Sequence, residues 1–379
     1  MRGSVYKREG RKTWSVIVEL ERDHNGKRKQ EWHNGYRTKR EAERKLTEIM
    51  GRLDRSEHVS PSKLTVAMFL RDEWLPSIRT TIRPSTFSVY RAIINGHVIP
   101  YIGDRPLQQL KSADLGALYT QLTELGLAPK TVRNVHSLIR SVLKEAVTLG
   151  YVTRNVASFA KPPRVPQTEM QTWNADELRS FLEHVHADRL YAAYVLLATT
   201  GMRRGEALGL HWRSVDLDSA RVSVNTALVL VGNEPAFQEP KSTKGRRSIP
   251  LPPETVAALR AHRKQQLAEK MSLGLDYDNS RDLVFRREDG TRVHPSTLSR
   301  RFGKLVRQTT LPEIRLHDLR HTFATLALQA GVSVKVVSEM LGHASVTITY
   351  DTYSHVIPGM AEDATSRVAA LVFGTRSLP

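Results

Sequence analysis

Cysteine is missing from all 379 residues. Its absence excludes a disulfide scaffold, a Cys-based zinc module and a thiol nucleophile. No stretch approaches 18 consecutive apolar residues, so no membrane span is expected. The opening MRGSVYKREGRKTW lacks the apolar core of a secretory signal, which points to a cytoplasmic protein. There is no GxxxxGK(S/T) loop, no HExxH, no Cys/His metal spacing and no convincing carboxylate cluster, so neither a metal nor any other cofactor is expected. Acidic residues are in deficit, 39 against 57 basic, which leaves a net charge of +18 and a pI of about 10.2. An excess of this size calls for a polyanionic partner, nucleic acid before an acidic membrane surface. What is present, 40% hydrophobic and 25% charged residues, is ordinary for a globular chain of two or three domains.

Three segments differ in pattern. Residues 1–62 carry β-prone runs around Val5 and Tyr6, around Trp14, Val16 and Val18, and around Trp32 and Tyr36. Asn25-Gly26 between two of them is a hairpin signal. Thr38 to Glu41 reads as a capping box that opens a helix to about Leu53. These features predict a small α+β domain, a three-stranded sheet plus a helix. It holds 16 basic against 10 acidic residues, with basic clusters at Lys27, Arg28 and Lys29 and at Arg37, Lys39 and Arg40.

Residues 63–160 read as all-helical. One helix starts near Pro84 and runs to about Asn95, and another is capped by Ser112 and stopped by Gly126. A long helix, 130–149, follows Pro129 and ends before Gly150. In it Val132, Val135, Leu138, Ile139, Val142, Leu143 and Ala146 form one apolar stripe, with Arg133, Arg140 and Lys144 off it. Prolines at 162, 163 and 166 mark residues 161–169 as an extended linker. Residues 170–379 are mostly helical, with alternating strand patterns at 221–230 and 246–251. The positive charge is concentrated ahead of the linker, as expected if those segments grip a backbone and the last one does chemistry.

That last segment holds four motifs. In Thr200-Gly-Met-Arg-Arg-Gly-Glu-Ala-Leu-Gly-Leu210 an arginine stands at a helix start, where free backbone N–H groups also favour anions. Arg203 and Glu206 share a helical face, the spacing of an ordinary surface pair as well. In Leu316-His-Asp-Leu-Arg-His321, His317 and Arg320 lie three apart. An imidazole beside a guanidinium suits a phosphate, since one handles a proton and the other forks two oxygens. In Met340-Leu-Gly-His343 the histidine follows a helix-ending glycine, a place where it can serve only as a cap. Tyr350-Asp-Thr-Tyr-Ser-His355 brings two tyrosines within four residues.

In this order and spacing the chain resembles the tyrosine recombinase family, the phage and mobile-element integrases. The TGxRxxE, HxxR, LGH and YSH elements span most of residues 170–357. The resemblance implies a mainly α (α+β) catalytic domain at 170–379, a helical, SAM-like core-binding domain at 63–160 and an arm-type DNA-binding domain at 1–62. It implies that Arg203 and Arg320 hold the scissile phosphate with His317 and His343, and that Tyr353 is the nucleophile with Tyr350 a decoy. The family's lysine lies in a β-hairpin, matched by Pro240-Lys-Ser-Thr-Lys-Gly-Arg-Arg-Ser-Ile-Pro-Leu251. Counting back from Ile249 favours Lys241, with Lys244 its rival.

The implied activity is DNA cleavage through a 3′-phosphotyrosine and rejoining to a second strand. His317 would be the base and Lys241 the acid on the leaving 5′ oxygen. The implied partners are double-stranded DNA at core and arm sites, contacted by Lys27, Arg28, Lys29, Arg133 and Arg140. The resemblance also implies a homo-tetramer on synapsed sites, DNA-bending and excision factors, and a place at the nucleoid of a bacterial host. The alternatives are a type IB topoisomerase-like strand transferase and a non-catalytic DNA-binding regulator on the same scaffold.

Overall fold

The computed structural model describes residues 3–7, 10, 12–20, 29–54, 61–166, 170–239, 245–353 and 360–373. The chain divides into two compact units, 1–167 and 168–379.

The first unit opens on a three-stranded antiparallel sheet, β1 (Gly3–Lys7), β2 (Trp14–Leu20) and β3 (Lys29–Tyr36), in the order β1-β2-β3. Strand alternation sends Val16 and Val18 to one face, where they are fully buried with Ala42 and Ile49 of α1 (Lys39–Asp54). The other face keeps Tyr6 and Trp32 about half exposed. The capping box forms as expected: the Glu41 N–H donates to Thr38 Oγ1 at 3.2 Å, and the Thr38 N–H to Glu41 Oε2 at 3.3 Å. The turn at Asn25-Gly26 lies outside the described residues.

A separate helical core follows. It contains α2 (Val66–Met68), α3 (Leu75–Ile78), α4 (Pro84–Ile93), α5 (Ile99–Ile102), α6 (Ser112–Glu124) and α7 (Pro129–Thr148). Two π-helical segments, Phe69–Trp74 and Ile94–Val98, replace regular helix. Each precedes a proline in the next turn, Pro76 and Pro100. A proline ring collides with the carbonyl four residues back, and the wider turn relieves it. The helix from Pro84, expected to stop near Asn95, instead passes through the second of these segments into α5. Ser112 is the first residue of α6 rather than its cap. The Lys111 N–H is satisfied instead by Asp114 Oδ2 at 2.9 Å. All seven stripe residues of α7 are buried, and Arg133, Arg140 and Lys144 are exposed.

In the second unit α8 (Ala175–His184) packs on α9 (Tyr191–Thr200), which is apolar nearly all round and buried from Ala192 to Ala198. Then come α10 (Arg204–Leu208), β4 (Val215–Asp216), β5 (Arg221–Val224), β6 (Ala227–Val231), β7 (Glu234–Gln238) and β8 (Arg247–Pro250). The single alternating run expected at 221–230 splits: β5 joins a sheet ordered β4-β5-β8, and β6 pairs with β7. The backbone of β6 lies against α10, where a Cβ on Gly205 would stand 2.6 Å from the Leu228 oxygen. The helices α11 (Pro253–Leu273), α12 (Pro295–Val306), α13 (Asp318–Gln329), α14 (Val334–Leu341), α15 (Val346–Tyr353) and α16 (Met360–Phe373) complete the unit. Among the described residues no helix is long and apolar enough to cross a membrane, and no cluster of side chains could hold a metal ion.

Candidate active site

Helix α9 ends at Gly201, whose φ is +62°. Any side chain there would also strike Leu341 and Phe323 at 2.6 Å. The chain turns and enters α10 with Arg203 at the N-cap. The Arg203 N–H donates to Glu206 Oε2 at 2.9 Å, its Nη1 to Oε1 at 2.8 Å and its Nη2 to the Gly342 carbonyl at 3.3 Å. Its side chain remains 42% exposed. Glu206 is buried and also receives Arg247 Nη2 at 2.8 Å. Burial alone would raise the Glu206 pKa, but the Arg247 bond and the charges of Arg247 and Arg203 hold it below the usual carboxylate range. Arg247 Nε donates to the Met340 carbonyl at 2.6 Å, which fastens β8 to the end of α14.

Arg320 is only 4% exposed. Its Nη1 donates to the Gly201 carbonyl at 2.8 Å and its Nη2 to the Leu341 carbonyl at 2.7 Å. One guanidinium thus caps the C-terminal ends of α9 and α14, where the helix dipoles favour a cation. Burial and the neighbouring Arg203 and Arg247 charges push its pKa down to about 9, so it stays charged at neutral pH. The sequence placed it beside His317 on a helix face. It is in fact an interior residue, 4% exposed.

His343 follows Gly342, whose φ of +66° ends α14, and its Nδ1 pairs with Thr349 Oγ1 at 2.8 Å. Burial, then Arg320, Arg203 and Arg247, pull its pKa down to about 4. His317 stands just before α13 and lines a cleft of about 690 Å³ with Arg203, Arg204 and Arg315. Its side chain remains open to water on the cleft side, yet partial desolvation, His321 and Arg320 lower its pKa to about 4. Arg204 reaches Ser299 Oγ at 2.7 Å across the same cleft. Beside the cleft, Arg203, Arg247 and Arg320 gather around the single carboxylate of Glu206, and both histidines are held neutral. That group of four carries a net positive charge, which suits an anion.

Tyr353, the last residue of α15, is 1% exposed and packs with Ala324, Val337 and Leu341. Tyr350, one turn earlier, is 50% exposed. Burial pushes the Tyr353 pKa up to about 12. Its hydroxyl pairs with His321 Nδ1 at 2.7 Å, one turn beyond His317.

The structure brings Arg203, His317, Arg320, His343 and Tyr353 to one end of the unit. Lys241 and Lys244 lie outside the described residues, between β7 and β8. Lys27 and Arg28 lie outside them too, and Lys29 is described only as the start of β3. Arg133 and Arg140 sit on the exposed face of α7 in the other unit, where Arg133 Nη2 also bonds the Pro163 carbonyl at 3.2 Å. Sequence reasoning gave no role to His321 or Arg247. Both stood inside quoted motifs, but their partners come from other elements, so spacing alone carried no signal for them.

The phage integrase family model matches residues 171–359, an arm DNA-binding domain matches 4–53, and an N-terminal SAM-like domain of phage integrases matches 69–123. A tyrosine recombinase XerC-like protein of Caldanaerobacter subterraneus is 29% identical, over 95% of this chain and 96% of its own length. The Tn1549 transposon integrase, solved with a circular intermediate DNA, shares the fold with a TM-score of 0.67 at 22% identity, covering 81% of this chain and all of that one. The lambda integrase, solved as a tetramer bound to a Holliday junction, does so with a TM-score of 0.58 at 17% identity, covering 92% of this chain and 94% of that one. With its motifs in order and its three segments matched in order, the chain belongs to the tyrosine recombinase family and is a tyrosine-type site-specific DNA recombinase.

Proposed function

We propose that the protein integrates and excises a phage or other mobile element, cutting DNA through a 3′-phosphotyrosine in which Tyr353 is the nucleophile. The observation that carries this reading is the anion site built by Arg203, Arg320 and His343, with a buried tyrosine against the same helices. Arg203 and Arg320 hold the non-bridging oxygens of the scissile phosphate, where a planar fork matches two oxygens. His317 and His343 donate to the same group, and all four stabilise the extra charge of the pentacovalent transition state. Lys241, before Lys244, protonates the leaving 5′ oxygen. The bond energy is retained in the protein–DNA link, so a second strand's 5′-hydroxyl reverses the step.

Residues 170–379 are the catalytic domain, 63–160 the core-binding domain, 161–169 the linker and 1–62 the arm-binding domain. Separate hydrophobic cores in the three folded segments support this division. Arg133 and Arg140 contact core DNA. Lys27, Arg28 and Lys29 contact arm DNA. Recombination proceeds in a homo-tetramer on synapsed sites, in the cytoplasm at the nucleoid, with DNA-bending and excision factors. In α16 Val368, Leu371, Val372 and Phe373 are exposed, which suits docking on a neighbouring subunit.

A nicked suicide substrate tests the reading. Wild type and Tyr350→Phe should trap a covalent protein–DNA adduct, and Tyr353→Phe should trap none while binding DNA with nearly unchanged affinity. An adduct in Tyr353→Phe and none in Tyr350→Phe would reverse the assignment.

A further inference from the structure

A phenol attacks phosphorus only as its proton leaves, and the base must stand within hydrogen-bond reach. His317 is the family-like choice for this base, yet it lines the cleft with Arg203. The ring that touches the phenol is that of His321, with Nδ1 2.7 Å from Tyr353 Oη. The two rings are 5.8 Å apart, and His321 also meets the His317 ring edge to face at 5.3 Å. The nucleophile, its acceptor and a second imidazole thus form a continuous line from the buried α15 to the mouth of the cleft.

We propose that His321, in place of His317, is the general base of strand cleavage and takes the Tyr353 proton on Nδ1. This rests on Tyr353 being the nucleophile. Tyr353 Oη forms the bond to phosphorus as its proton passes to His321 Nδ1. The bond from phosphorus to the 5′ oxygen breaks with its electron pair on that oxygen, which takes a proton from Lys241. In rejoining, the incoming 5′-hydroxyl returns its proton to the Lys241 amine, and the departing phenol recovers its own from His321. Nothing is consumed, so the same pair serves both directions.

The surroundings suit the role. The charged and titratable groups facing His321 are Asp318, Arg320 and Arg315 near its own helix, His317 beside it, Tyr353 on α15, and His343. Burial holds His321 below the ordinary imidazole pKa, with Asp318 opposing and the two arginines assisting. Its ring is therefore neutral at neutral pH, and with the proton on Nε2 the Nδ1 lone pair is available. His317, relieved of the proton, is left to donate to the phosphate.

The rival explanation of the contact is a resting-state latch, or a bond that merely orients the ring. His321→Asn keeps an acceptor near the Nδ1 position but cannot take a proton at neutral pH. It should bind core-site DNA like wild type yet form the suicide adduct about 10²–10³-fold more slowly. The acid limb of the pH–rate profile should be lost with it. A substrate with a bridging 5′ sulfur, whose leaving group needs no proton, should leave this defect in place while restoring Lys241→Ala. His321→Ala should be rescued by added imidazole, in proportion to the basicity of the imidazole used. That readout also serves if His321→Asn fails to fold. A wild-type rate in His321→Asn, faster cleavage in His321→Ala, or loss of the acid limb in His317→Asn instead would overturn the proposal. An adduct in Tyr353→Phe would overturn the nucleophile assignment beneath it, a separate result.

Discussion

The two ends of the chain place their functional groups in opposite ways. In residues 1–62 the buried cluster is small, Val16, Val18, Ala42 and Ile49, and every one of these is apolar. The aromatic side chains of Tyr6 and Trp32 are left outside it. In the catalytic unit the groups proposed to do chemistry lie inside: Arg320 and Tyr353 are nearly inaccessible, and Glu206 is buried beneath Arg203. A surface that grips DNA can change without disturbing its core. A site made of buried charges cannot, because each member also holds helices together. Changes at the first end should therefore affect affinity alone. Changes at the second should affect rate and stability together, in proportion to burial.

The two arginines test that proportion. Arg203→Lys and Arg320→Lys should each raise the barrier to strand cleavage by roughly 2–4 kcal/mol, the scale of losing one oxyanion donor. A lysine is a point charge and cannot fork two oxygens. Arg320→Lys should in addition lower folding stability, by about 1–3 kcal/mol, because one ammonium cannot cap both the Gly201 and Leu341 carbonyls. Arg203→Lys should cost less, since its side chain is 42% exposed. Chemical denaturation beside single-turnover cleavage separates the two effects. Equal losses of stability would break the link between burial and structural duty.

A smaller effect is expected from pH. His317 and His343 have pKa values near 4 in the folded protein, against an ordinary value near 6.5. Between those limits the unfolded chain binds more protons than the folded one, so stability should fall as pH drops from about 6.5 toward 4. Both rings are partly solvated, so the change should be well below that of a fully buried histidine. His343→Gln should flatten the dependence in that window. A phosphate oxygen placed against Arg203 and Arg320 offsets the charges that depress His343, so core-site DNA should raise its pKa in an NMR titration. An unchanged His343 pKa on binding would place the phosphate elsewhere.

Much of this was legible in the sequence because it is local. The stripe of α7 is fixed by a 3.6-residue period, and the box at Thr38 and Glu41 by a three-residue spacing. Gly201 and Gly342 announce helix ends because each adopts a positive φ. The order of the motifs identified the family and singled out Arg203, His317, Arg320, His343 and Tyr353 as candidates. Other features depend on contacts between distant segments. The pairing of His321 with Tyr353 spans 32 residues and requires α15 to fold back on α13. Arg247 finds Glu206 across 41 residues, and the burial of Arg320 follows from two helix ends meeting over it. The π-helical turns were missed for another reason: the prolines were visible, but a proline predicts a break as readily as a widened turn.

The smallest effect on chemistry should come from removing the other end of the comparison altogether. The sheet and α1 have their own buried cluster, separate from the helical core that begins near Val66. Deleting residues 1–62 should therefore leave cleavage of a short core-site suicide substrate unchanged. On a long attachment-site fragment the same deletion should abolish protection of distal arm sequences and greatly reduce integration. If the segment only adds positive charge, with 16 basic against 10 acidic residues, its loss should instead weaken binding to every DNA alike. It should then also lower the dependence of affinity on salt, since that slope counts the phosphates neutralised. Footprints of the full chain and the truncated one decide between these outcomes. A distal patch lost while the core patch is retained makes the protein bivalent. Identical footprints with a shallower salt slope would reduce residues 1–62 to a charge reservoir, and the division between a surface that grips and an interior that reacts would then begin at residue 63.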